Sequence, residues 1–184
     1  MKLKTYTKLA GIFACIISVT LSSCSEKSSN TGDTSTEKKA SALEGIILTE
    51  APKEVSSIAE IRKSAKPGDK VTFTGSAIGA MKIFMDNRAV MILGDPEVIT
   101  ACNLRPGDGC ETPWDVCCDE KDDIKASIVT LRYLDSAGKV VKEGFKGLAD
   151  IKELSTLVVN GTVAKGSTKD NMTVNVSGIF VKIN

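Results

Sequence analysis

The chain has 184 residues, with 24 basic and 23 acidic side chains, six cysteines, one tryptophan and no histidine. That length allows one domain with additional segments. The balanced charge supplies no global field for gathering phosphate backbones, and the lack of histidine excludes Ser-His-Asp and Cys-His catalysis, histidine general bases and histidine metal ligands.

The N-terminus has its own composition. Lys2, Lys4 and Lys8, with no acid among them, precede 13 mostly apolar residues from Leu9 to Leu21. Ser22, Ser23 and Cys24 follow. A basic start, a short apolar core and small residues read as a secretory signal over 1–23. The run is too short to cross a bilayer as a helix, which takes about 20 residues. "LSSC", Leu21 to Cys24, resembles the lipobox of bacterial lipoproteins. The resemblance implies that Cys24 is acylated, becomes the mature N-terminus and anchors the chain in membrane lipid, each buried methylene contributing about 0.8 kcal/mol. Ser25 after the cysteine resembles the outer-membrane address of Gram-negative lipoproteins. The expected location is therefore the cell envelope, outer membrane, facing the periplasm. Cleavage before Cys24 leaves 21 basic and 23 acidic residues, a net charge of −2.

Residues 25–41 are rich in Ser, Thr, Lys and Glu and hold nothing apolar larger than alanine. Such a stretch buries too little surface to offset its ordering entropy, and it reads as a flexible tether. In 43–55, Ile46, Ile47 and Leu48 suit either a short strand or packing beneath the domain. The expected division is a signal peptide over 1–23, lipidated cysteine and tether over 24–55, and a domain over 56–184.

Within that domain, Ser57 and Glu60 have the spacing of a capping box, Ile58, Ile61 and Ala65 share a helix face, and Pro67-Gly68 ends the helix. Strands then follow. Residues 70–79 alternate Val71, Phe73 and Gly75 against Thr72 and Thr74, with Gly75 suggesting a bulge. Residues 88–93 form a second strand, stopped by "GDP". Residues 127–134 form a third, turned back by "DSAGK" so that 140–147 can pair with it. Leu148, Ile151 and Leu154 predict a short one-sided helix. Residues 156–165 and 172–183 are the last strands, the final one placing Val174, Val176, Gly178 and Phe180 on one face. The predicted fold is mainly β: a five-stranded OB-fold-like barrel with a short helix between strands three and four. A β-sandwich is the alternative, but about five strands are too few to fill two sheets.

Between strands two and three lies a cysteine-rich insert, 95–125. Cys102, Cys110, Cys117 and Cys118 are spaced C-x7-C-x6-C-C. Four-thiolate zinc sites draw on C-x2–4-C pairs, and no C-x-x-C redox motif occurs. Adjacent cysteines on extended backbone point their sulfurs apart. In an oxidising compartment this pattern favours two disulfides, each joining Cys117 or Cys118 to Cys102 or Cys110, with the choice between the two connectivities open. A metal site or a redox centre is the lesser reading. Trp114 is expected to cover the disulfides or the barrel end, with exposure for ligand stacking the alternative. From 102 to 123, seven acids against Arg105 and Lys121 give a net charge of −5. This acidic loop leaves calcium open without showing an EF-hand pattern.

"KPGDKVTFTG", "PGDGCETPWDVCC" and "LSTLVVNGTVAK" together resemble a group of uncharacterised bacterial OB-fold lipoproteins carrying the same cysteine–tryptophan insert. The likeness spans residues 66 to 183 and implies the fold and the compartment. The functional expectation is a non-catalytic binding or structural module for a protein or cell-envelope ligand, with no cofactor. Its candidate ligand-binding residues are Arg88, Arg132, Tyr133 and Trp114, on or beside the face that OB-folds use. Nucleic-acid binding is the alternative, disfavoured by the acidic insert and by aromatics that do not cluster on that face. A thiol-redox or metal-binding protein comes third.

Overall fold

The computed structural model describes residues 41–107 and 109–183. The expected signal peptide over 1–23, Cys24, residues 25–40 of the expected tether and Asp108 lie outside the described residues. No described helix is long and apolar enough to cross a membrane.

Ser57 caps the first helix. Its hydroxyl accepts from the Glu60 amide, and the Glu60 carboxylate accepts from the Ser57 amide, so the expected capping box forms. A two-residue strand, β1 (Ser56–Ser57), leads into helix α1 (Ile58–Ser64), which buries Ile58 and Ile61. The barrel strands are β2 (Lys70–Ser76), β3 (Val90–Gly94), β4 (Ile128–Arg132), β5 (Thr156–Val163) and β6 (Thr173–Val181).

β2 pairs with β3, β3 with β4, and β5 with β6, all antiparallel, while β4 and β6 run parallel. β5 closes the barrel on β2, from Lys70 opposite Thr162 to Ser76 opposite Thr156. This is the OB-fold-like order, in which the third and fifth barrel strands are parallel neighbours and the fourth returns to the first. The alternation in β2 and β4 holds: Val71, Phe73, Val129 and Leu131 face the core, while Thr72, Thr74 and Thr130 are half-exposed.

The last strand departs from simple alternation. Asn160 pairs with Gly178 and Gly161 with Val176, so Ser177 is an extra residue bulging from β6. The bulge shifts the phase. Ile179 enters the core in place of the expected Phe180, which is half-exposed. The glycine that permits the close approach here is Gly161, where a Cβ would lie 2.4 Å from Val174 Cγ1 and 2.7 Å from the Asn175 carbonyl oxygen. The bulge expected at Gly75 is absent, because Gly75 sits in regular register opposite Leu157. Its lack of a side chain instead admits Ile58, whose Cδ1 would meet a Cβ at 2.5 Å.

Two connections differ from the sequence reading. The element between the third and fourth barrel strands is a single 3-10 turn, Leu148–Asp150, rather than a helix over 148–154. Ala149, Asp150 and Leu154 all take positive φ, which breaks helical continuity. Ile151 is drawn into the main core, while Leu154 packs against a separate apolar cluster beneath the insert. An α-helix, α2 (Lys121–Ser127), instead lies at the end of the insert, before β4.

The domain also begins before residue 56. Leu43 and Ile46 are buried in the main core. Ile47 bridges to Ile179, and the Leu48 amide donates to the Ile179 carbonyl. Packing beneath the domain is thus the reading that holds for 43–48.

Candidate functional site: the thiol cluster and the β3–β4 face

The insert is built on its own small core. Ile78, Ile99, Ala101 and Val116 are buried together, with Trp114, Ile124 and Leu154 packed against them. Backbone bonds hold the loop: the Cys102 amide donates to the Asp115 carbonyl and the Asn103 amide to the Pro113 carbonyl, each at 2.9 Å. The Arg105 guanidinium pairs with the Asp119 carboxylate, whose other oxygen accepts from the Thr100 amide at 2.8 Å. Trp114 is half-buried, touches both apolar clusters and donates its indole N–H to the Met81 carbonyl at 3.0 Å. Its own carbonyl accepts from the Gly79 amide. The tryptophan therefore fastens the insert to the barrel.

This framework gathers the cysteines around Cys117. Its Sγ stands 3.8 Å from that of Cys102, 3.9 Å from that of Cys110 and 3.9 Å from that of Cys118. These are contact distances rather than bonds. Cys102, Cys110 and Cys117 have all their sulfurs within 4.8 Å of one another, a set that does not include Cys118. The adjacent pair is not on extended backbone. Cys117 and Cys118 occupy a turn in which the Asp119 amide donates to the Val116 carbonyl, and the turn swings their sulfurs together. Cys102 is buried, Cys110 half-buried, and Cys117 and Cys118 exposed. Its hydrogen bond with Cys102 favours the Cys117 thiolate, but those with Cys110 and Cys118 oppose it and leave the thiol above its ordinary value.

The described acids of the insert do not converge. Among the described residues these three cysteines are the only set of three metal-capable side chains brought together. Asp119 is committed to Arg105 and Thr100, Asp115 accepts from the Val116 amide, and Asp122 lies 3.8 Å from Lys125.

The candidate ligand-binding residues divide into two places. Val90 opposes Arg132 in the β3–β4 register, and the Tyr133 amide donates to the Ala89 carbonyl, so Arg88, Arg132 and Tyr133 gather at the start of β3. Arg88 is exposed. Arg132 is half-buried and donates through Nε to Asn175 Oδ1 at 2.6 Å, while Tyr133 packs on the core. Trp114 lies at the other end of β3, bonded to Gly79, which abuts Gly94. Five residues of strand, about 13 Å, separate the two. Between them the segment after β2 folds alongside β3, the Met85 amide donating to the Val90 carbonyl and the Ile92 amide to the Ile83 carbonyl. A shallow hollow of about 210 Å³ opens there among Ile83, Phe84, Met85, Val90, Met91 and Ile92. The sequence reading missed Met85 and the exposed Met81 because both lie in an irregular segment without periodicity.

No family model, no curated protein and no solved structure matches the chain.

Proposed function

We propose that the chain is an exported lipoprotein, held through acylated Cys24 in the outer membrane and facing the periplasm, whose OB-fold-like domain is a non-catalytic binding module for a protein or cell-envelope ligand. The observation that carries the binding half is the hollow on the β3 side, lined by Phe84, Met85, Val90 and Ile92. It lies on the face where OB-folds take ligands, and Arg88 is exposed two residues before Val90. The anchoring half rests on Leu21 to Cys24, placed directly after the apolar run. The absence of histidine from the chain favours binding over acid–base chemistry.

A photo-crosslinking residue placed at Arg88 or Met85, compared with one at the exposed Lys165, tests the reading in intact cells. Adducts confined to Arg88 and Met85 support it; equal labelling at Lys165, or none anywhere, contradicts it. Filter binding of single-stranded oligonucleotides at low salt tests the nucleic-acid alternative, for which a salt-dependent complex is required.

A further inference from the structure

We propose that Cys102, Cys110 and Cys117 form a binding site for one thiophilic d10 cation, Zn2+ or Cu+, with solvent at the open position. Sulfurs each about 2.3 Å from a tetrahedral zinc stand about 3.8 Å apart along an edge. The separations of Cys117 from Cys102 and Cys110 are 3.8 and 3.9 Å, and the third side of the triangle is within 4.8 Å. Three sulfurs thus converge from three separate points of the insert.

The convergence is held by contacts in which the sulfurs take no part. The Cys102 amide is bonded to Asp115, the Arg105–Asp119 pair clamps the loop, and Val116 is buried beside Cys117. A small core and an ion pair fasten the loop from outside the sulfurs. The site is therefore pre-organised, which lowers the ordering cost of taking up an ion. Cys117 is exposed and offers a route of entry, while buried Cys102 forms the floor. As the ion enters, each thiol gives its proton to solvent and its sulfur becomes a metal ligand, with no change of oxidation state. The softness of three thiolates selects Zn2+ or Cu+ over calcium or magnesium, for which no set of oxygen ligands converges among the described residues.

The test uses the full chain in detergent, reduced and kept anaerobic, titrated with Zn2+ alone and with Cu+ alone and followed by native mass spectrometry. The expected result is one ion per chain. Alkylation of the loaded protein should spare Cys102, Cys110 and Cys117 and mark Cys118. Cys117→Ser, at an exposed position, should weaken binding by more than the roughly 10–100-fold typical of a lost supporting partner, whereas Cys118→Ser should leave one ion bound. Because Cys102→Ser risks the buried floor, Cys110→Ser is the second variant, and it should weaken binding as Cys117→Ser does. No uptake by the reduced wild-type chain, or four alkylated cysteines in the presence of either ion, would overturn the proposal. So would intact masses showing two disulfides in chain isolated from envelopes under alkylation without reductant.

Discussion

Asp95 shows how much one side chain can fasten. It is 2% exposed, and its two carboxylate oxygens accept from the Ala59 amide at 2.9 Å and the Glu97 amide at 3.1 Å. It thereby ties the end of β3 to the first turn of α1. Asp95→Ala would leave two amides without their acceptor, and a loss of about 1–3 kcal/mol is expected in denaturant unfolding, with Asp95→Asn losing less. Gly161→Ala tests the bulge in the same measurement. Its Cβ would press on backbone at 2.7 Å, so about 1–3 kcal/mol should be lost through strain. Glu153 carries the pH dependence. Burial raises its carboxyl, but the 2.6 Å bond from Lys146, a backbone bond and the Lys146 charge outweigh this and leave it below the ordinary carboxylate value. A depressed carboxylate stabilises the fold above the unfolded value and ceases to do so as pH falls through the folded one. The melting temperature of wild type minus that of Glu153→Gln should therefore shrink on acidification. The effect is small, at most about 1 kcal/mol, because Lys146 is 59% exposed.

At the scale of elements, strands and caps were legible because their signals are local. Ser57 and Glu60 stand three apart in sequence and meet directly, and Val129 and Leu131 alternate without interruption. What was not legible depends on tertiary contact. Leu148, Ile151 and Leu154 have helical spacing, but they serve two different apolar clusters, and the chain abandons the helix to reach both. Helix α2 carries Ile124 as its one large apolar residue, so no periodic face announced it. The buried role of Asp95 was read only as part of a strand-ending "GDP". That the four cysteines meet was expected from C-x7-C-x6-C-C, but their gathering around Cys117 was not legible, because it depends on a turn at Cys117 and Cys118 and on the Arg105–Asp119 pair. Trp114 belongs to this scale too. Trp114→Ala removes the indole that touches both clusters and its bond to Met81, and about 2–3 kcal/mol should be lost, less than for a fully buried tryptophan. Amide exchange should then rise in the insert before it rises in β2 or β5; uniform loosening of the barrel would show that the insert is not a separately fastened element.

At the scale of the whole molecule, the proposed anchor at Cys24 precedes a domain that begins near Leu43. Limited proteolysis is expected to cut first before Ser41 and to leave 43–183 intact, since Leu43 and Ile46 belong to the core. Resistance of 25–40 to cleavage would mean that the stretch docks on the domain. The proposed placement of this domain at a membrane surface would decide which ligands the β3 hollow meets, so lipidation at Cys24 is the proposal to test first. Its most direct test is the intact and fragment mass of the chain extracted from cell envelopes. The account predicts a chain that starts at Cys24, lacks residues 1–23 and carries acyl chains on that cysteine. An unacylated Cys24 or an uncleaved N-terminus would contradict it.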